Sequence, residues 1–209
     1  MSEAKIKQAN YGIIAKQAKD MRKKGQTLNI NFTNIHSELD TTLKNGWSGK
    51  RYNKLAQIFN KIVPTLNTAL NVIVDEIPYN LQLVANNYSQ ADADYNCTTA
   101  THEAPRKIKE LGKTDENDNI KLLSAQVRAS EKKVSRNIED AIVKLNEIVK
   151  LFDGIAWQSE ARERFKENLH KYQNDIKKTF EEIQTIISTY MTKAATKADA
   201  AESANTIKG

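Results

Sequence analysis

The chain has 209 residues, of which only three are Pro and seven are Gly, so there is little turn chemistry to support many strands. Its formal net charge of +6 is spread over the length without a basic block, which argues against a nucleic-acid footprint. A Sec-type signal peptide is not evident, and no apolar run approaches the roughly 20 residues that a membrane span needs. We therefore expect an all-α protein with strands absent or few.

The first predicted unit, residues 1–95, is a helical hairpin that turns at Trp47. Apolar residues recur at steps of three and four on both sides of the tryptophan, which keeps one stripe of each helix apolar. Residues 45–49, Asn-Gly-Trp-Ser-Gly, interrupt this stripe, and glycine supplies the positive backbone dihedrals of a turn. The stripe consists of Leu28, Phe32, Ile35, Leu39, Leu55, Phe59, Ile62, Leu66, Leu70, Ile73 and Ile77.

Two prolines lie inside the second helix of this unit. Pro64 and Pro78 each remove a backbone donor, at a cost of about 3 kcal/mol in a regular helix interior. We expect a kink at each, or a break.

Residues 96–119 lack the apolar stripe and are predicted to be the connection between two units. Within this linker, Ile108 and Leu111 predict one short helical turn. The single cysteine, Cys97, cannot form an internal disulfide, and we interpret it as a solvated bystander thiol.

The second predicted unit, residues 120–209, repeats the first at an offset of 110 residues, which aligns Trp157 with Trp47. Residues around Trp157, including Gln158 and Ser159, form the predicted turn, and Ser159 or Ser48 is suited to cap the following helix. The C-terminal tail is expected to fray. The matched stripe consists of Ile138, Ile142, Leu145, Val149, Phe165, Leu169, Tyr172, Ile176, Phe180, Ile183 and Ile187.

A helical hairpin of about a hundred residues that turns at Trp-x-Gly resembles the WXG superfamily, the early-secretory-antigen-like proteins of type VII secretion systems. Trp47, Ser48 and Gly49 carry the turn motif. Tyr88 and Asp92 match the family's Tyr-x-x-x-Asp/Glu export signal. The second unit carries a relaxed variant, Trp157-Gln158-Ser159, and at the offset it keeps an acid, Glu202, but has Ala198 in place of the tyrosine. The chain thus looks like a family pair fused into one polypeptide.

The resemblance implies a non-enzymatic secreted protein that acts as an exported substrate or as a pairing partner and carrier. The implied partners are the secretion ATPase and another helical secreted protein, and the protein would leave the cell without a Sec signal. Family dimers are antiparallel, so we expect a four-helix bundle of two antiparallel hairpins. A linker of 24 residues reaches about 80 Å, enough to run the ~60 Å of such a bundle. This arrangement would bring Tyr88 and Asp92 near the Trp157 turn as a composite recognition site.

Other interpretations of the same residues stay open. Each turn tryptophan also fits a purely structural role, closing the end of a bundle, and Tyr88 and Asp92 also form an ordinary helical pair four residues apart. A membrane-acting protein, pore-forming or lipid-binding, is the alternative function, because amphipathic stripes and basic charge suit anionic lipid surfaces. A cytoplasmic coiled-coil adaptor is a third.

Catalytic and cofactor-binding residues are not predicted. His36, His102 and His170 are scattered in sequence, and no His or Cys lies at metal-ligand spacing from another. We therefore expect no catalysis, no cofactor and no metal.

Overall fold

The computed structural model of the chain describes residues 10–90, apart from the side chain of Thr42, and residues 98–116, 121–155 and 157–205. Four long helical segments make up the all-α fold, as predicted. The first segment consists of α1 (Tyr11–Ser37), a π-helical turn (Glu38–Leu43) and α2 (Lys44–Gly46), and the second of α3 (Lys50–Asn71), a π-helical turn (Val72–Glu76) and α4 (Ile77–Ser89). The third segment is α5 (Ser124–Asp153), and the fourth consists of α6 (Glu160–Ile186), a π-helical turn (Ile187–Thr192) and α7 (Lys193–Ala204). In these ranges no β-strand forms, and an isolated antiparallel bridge pairs Trp47 with Leu122.

The predicted apolar stripes are the buried faces of these helices. Every stripe residue of both repeats is buried except Ile142, Phe165 and Tyr172, which are half-buried. Burial of a large aliphatic or aromatic side chain contributes roughly 1.5–3 kcal/mol relative to exposure. Since an isolated helix is marginal in water, this packing accounts for the length of the helices.

The two prolines have different outcomes. Pro64 lies inside α3, which continues to Asn71 without a break. Pro78 lies in the first turn of α4, directly after the π-helical turn Val72–Glu76. Proline has no backbone N–H to donate to the preceding turn of an α-helix. In the π-helical turn the hydrogen bonds run i→i+5, so the regular α-helical ladder is already interrupted where Pro78 follows.

The chain divides into two compact units. Unit one contains Met1–Asn29, Thr68–Arg106 and Ile142–Asp175, and unit two contains Ile30–Asn67, Lys107–Ala141 and Ile176–Gly209. Each unit therefore takes parts of both hairpins. The antiparallel arrangement of the two hairpins stays a prediction.

In unit one, the middle of α1 lies against the π-helical turn Val72–Glu76 and against α5. A Cβ on Gly25 would lie 3.1 Å from the Cα of Val74, so the missing side chain permits a close approach of two backbones. Lys24 Nζ and Glu147 Oε2 are 2.6 Å apart and join α1 to α5. Hydrogen bonds from Lys24 and Lys144 hold the pKa of Glu147 below its ordinary value.

In unit two, an aromatic stack joins the two hairpins. The rings of Phe32 in α1 and Phe180 in α6 lie parallel with their centroids 5.2 Å apart. At the surface, Arg128 in α5 is 2.6 Å from Asp199 in α7, and its hydrogen bond lowers the pKa of Asp199.

The predicted helical turn at Ile108 and Leu111 in the connection is wrong. Residues 98–116 contain neither helix nor turn, although both side chains are buried, each 3% exposed. The backbone of Ile108 and Leu111 is hydrogen-bonded to the side-chain amides of Asn67 and Asn60 on α3. These bonds satisfy the polar groups that a local helical turn would otherwise pair.

Cys97 lies outside the described residues. Over the part of the chain that the structure describes, none of the helices combines the length and the apolar character needed to cross a membrane.

Candidate functional site

The Trp47 turn lies in unit two, between the end of α2 and the start of α3. Trp47 ends α2 in an extended conformation, with φ −149° and ψ 128°. Two residues later Gly49 has a φ of +103°, so the predicted role of glycine in this turn is confirmed. The indole is 1% exposed, and its ring meets that of Tyr52 edge-to-face, with centroids 6.2 Å apart. The tryptophan is thus a packed element of the core.

The backbone of this turn also pairs with the segment that precedes α5. Ser48 N–H donates to Lys121 O at 2.9 Å, and Leu123 N–H donates to Gly46 O at 2.8 Å. The Ser48 hydroxyl accepts from Lys121 N–H at 3.3 Å, so in this structure it ties the two hairpins together. In unit two, therefore, the turn of the first hairpin is attached to the beginning of the second.

An open cleft of about 610 Å³ lies beside the Trp47 turn. Small side chains of α7, Ala194, Ala198 and Ala201, form one wall of it. Basic residues flank the cleft, namely Lys50, Arg51 and Lys197, and Glu116 adds one acid. The cleft is therefore lined by apolar side chains and by mainly basic charged ones.

Tyr52, the neighbour of Trp47, is fully buried, and its hydroxyl donates to Leu39 O at 3.3 Å. Burial raises the pKa of Tyr52, and the charge of Asp40 raises it further. Because the pKa of Tyr52 is higher in the folded state than in the unfolded state, the protonated phenol contributes to the free energy of unfolding. This contribution is complete below the ordinary pKa of 10.0 and is lost as the pH rises above it.

We expect the stability of the Tyr52→Phe variant to fall less steeply at alkaline pH than that of the wild type. The slope for one proton is about 1.4 kcal/mol per pH unit above pH ~10, and the phenylalanine variant lacks this proton. At neutral pH the variant loses one hydrogen bond, at about 1 kcal/mol. Urea unfolding at a series of pH values measures both effects. The control is Tyr190→Phe, at a half-buried tyrosine of the same unit; parallel pH profiles for wild type and Tyr52→Phe would contradict the expectation.

The Trp157 turn lies in unit one. Trp157 is 3% exposed, and its ring lies 5.9 Å from that of Phe165. Ser159 Oγ accepts from Arg162 N–H at 3.1 Å, so of the two predicted caps it is Ser159 that starts its helix. Gln158 is exposed. The indole Nε1 is buried and has no acceptor among the residues that the structure describes.

Side chains cap the C-terminal end of α5 beside this turn. Gln17 of α1 donates from Nε2 to Leu151 O and to Gly154 O, at 3.2 Å each. Arg162 donates to Asp153 O at 3.2 Å. These bonds satisfy carbonyls that a helix end leaves unpaired, and the Gln17 contact attaches this second turn to the first hairpin within unit one.

Of the proposed export signal, the structure describes only the tyrosine. Tyr88 is half-buried near the end of α4, in the same unit as Trp157. Asp92 lies outside the described residues. The composite site of Tyr88, Asp92 and the Trp157 turn therefore stays a prediction.

A cluster of titratable side chains that the sequence did not reveal lies around Asp75. In unit one, Asp75 is buried in the π-helical turn and accepts from Glu103 N–H at 2.7 Å. Its second oxygen lies 2.9 Å from His102 Nδ1, and the imidazole stacks on Tyr79 at 3.7 Å. Because Asp75 binds the backbone of the connection, the cluster has a structural role and fixes the connection to the π-helical turn. In the described ranges no three His, Cys, Asp or Glu side chains are grouped so that they could hold a metal ion.

Sequence reasoning also missed a set of asparagines that bind the connection. Asn53, Asn60 and Asn67 recur at seven-residue intervals on α3, and each is hydrogen-bonded to the backbone of residues 107–114. In unit one, Asn29 of α1 binds Arg106 in the same way. The signal that could have revealed them is the heptad of asparagines beside the apolar stripe.

Compared with known proteins, the chain matches no family model, no curated protein and no solved structure.

Proposed function

We propose that this chain is a non-enzymatic helical protein exported by a type VII secretion system, where it acts as a secreted substrate or as the pairing partner and carrier of another protein. The observation that carries the proposal is the Trp47 turn. A Trp-Ser-Gly sequence stands between two long helices, its tryptophan is buried, and its glycine takes a positive φ. This is the arrangement expected of a Trp-x-Gly hairpin.

A second buried tryptophan, Trp157, supports the idea of two fused hairpins. Both turns also have a contact with the other hairpin, through Lys121 and Leu123 in unit two and through Gln17 in unit one. A partner or a secretion component would thus meet each turn together with a segment of the other hairpin, and the cleft beside Trp47 offers an accessible surface for such recognition.

The proposal predicts that export depends on the secretion ATPase and on Tyr88. In a bacterium with an active type VII system, the wild-type chain should accumulate in the medium, and deletion of the ATPase should reduce it to the level of a cytosolic marker. Tyr88→Ala should have the same effect, because the export signal would lose its aromatic ring.

The matched control is Tyr190→Ala, at a tyrosine that is also half-buried but is followed four residues later by Ala194, so that it forms no export signal. Circular dichroism on each purified variant verifies the helical fold. Wild-type export of a folded Tyr88→Ala variant would exclude Tyr88 as the signal. An extracellular level that is unchanged without the ATPase would exclude the pathway.

A further inference from the structure

Three asparagines on one face of α3 bind the connection, and each makes two hydrogen bonds to the backbone of a single residue. In unit two, Asn67 Oδ1 accepts from Ile108 N–H at 2.8 Å, and its Nδ2 donates to Ile108 O at 2.9 Å. Asn60 does the same with Leu111, at 2.7 and 3.1 Å. Asn53 binds Thr114 at 2.8 Å in both directions. Six hydrogen bonds thus hold the seven residues from Ile108 to Thr114.

The spacing of the two elements explains why the pairing repeats. Seven residues of α-helix rise about 10.5 Å, and three residues of extended chain rise roughly 9–10 Å. Each step along the asparagine row therefore meets the third residue along the segment. A side-chain amide offers one acceptor and adjacent donors, like a peptide group, so it pairs with main chain whatever the side chain of the bound residue.

Side-chain recognition in this segment is confined to a few positions. Ile108 and Leu111 are buried, whereas Lys107, Lys109 and Lys113 are exposed. Gly112 N–H adds a hydrogen bond to Asp40 at 3.1 Å. The bound chain is thus selected for two apolar side chains three residues apart, for free backbone amides and for the Thr114 hydroxyl, which accepts from Gly49 N–H at 2.9 Å and donates to Asn53 Oδ1 at 3.2 Å. The three lysine side chains are exposed.

We propose that this face of α3 is a binding groove for extended peptide segments, which residues 107–114 occupy within the same chain. The ligand class is an extended polypeptide with apolar side chains at positions i and i+3 and free amides at i, i+3 and i+6. Main-chain hydrogen bonds supply affinity and the two apolar positions supply selectivity, as in other modes of extended-peptide recognition.

The test uses the full chain and a synthetic, fluorescein-labelled peptide of residues 105–116. The double variant Ile108→Asp/Leu111→Asp removes the two apolar anchors of the resident segment and leaves α3 unchanged. We expect this variant to bind the peptide at least ~10-fold more tightly than the wild type, in which the tethered segment competes at an effective concentration on the order of millimolar. Fluorescence anisotropy measures both affinities.

Two altered peptides test whether the backbone is read. N-methylation of the Leu111 amide removes the donor to Asn60 and should weaken binding at least ~10-fold, whereas N-methylation at Lys109, whose amide is not one of the three donors, should have a smaller effect. A peptide with Ser in place of Lys107, Lys109 and Lys113 should bind like the parent.

On the protein side, adding Asn60→Ala to the open variant should abolish the gain. Asn71→Ala is the control, because Asn71 belongs to the same helix but donates to Glu76. If the double variant loses helicity, Leu111→Pro replaces it, since this change removes the amide that Asn60 accepts. A folded open variant that fails to bind the peptide, or equal binding of the peptide methylated at Leu111, would overturn the proposal and leave the asparagines a structural tether only.

Discussion

Trp47→Ala is expected to lower the free energy of unfolding by about 3–5 kcal/mol, the usual cost of removing a large aromatic side chain from a core. The indole is 1% exposed and meets the ring of Tyr52, so the substitution leaves a cavity and removes an edge-to-face contact. Small domains have only about 5–15 kcal/mol of stability in total. The change would therefore remove a large share of it.

Urea unfolding followed by circular dichroism measures this loss. Trp47→Phe is the matched variant, because it keeps one aromatic ring against Tyr52 and should lose less stability than the alanine variant. The turn should open locally as well, so amide exchange of Leu123, which donates to Gly46 O, should accelerate. A loss below about 1 kcal/mol for Trp47→Ala would mean that the ring does not pack as described.

At the second turn we expect the alanine and phenylalanine variants of Trp157 to differ sharply. Trp157→Ala should cost about 3–5 kcal/mol, because the side chain is 3% exposed and packs near Phe165. Trp157→Phe keeps much of the apolar surface and removes the buried Nε1–H. A buried donor without a partner costs roughly 1–3 kcal/mol. The phenylalanine variant should therefore lie within about 1 kcal/mol of the wild type, as the two effects offset each other.

Denaturant unfolding of both variants, compared at equal m-values, tests this difference. If Trp157→Phe cost as much as Trp157→Ala, the indole N–H would have to be hydrogen-bonded in solution.

Local sequence patterns predicted the elements of the fold well. The steps of three and four identified the buried faces of the helices, and residues 45–49 identified the first turn, with Gly49 at positive φ. Ser159 was predicted as a cap and acts as one. Each of these features depends on residues close together in the chain, where helix periodicity and backbone sterics act directly.

The connection shows where such patterns are insufficient. Ile108 and Leu111 have the spacing of a helical turn, but the segment is extended because the asparagines of α3 bind its backbone. Those partners lie more than forty residues away in sequence, and the energy of a short isolated helical turn is too small to compete with paired amides. Helical propensity was overridden by a long-range contact.

The sequence by itself therefore determined that the chain is all-α, which faces of its helices are apolar and where its hairpins turn. Only the tertiary structure decided which surfaces meet: Phe32 with Phe180, Gln17 with the end of α5, and the asparagine row with residues 107–114. The physical reason is that an apolar stripe specifies burial without specifying a partner. The partner is set by side-chain shape and by hydrogen bonds that exist only once distant segments are packed together.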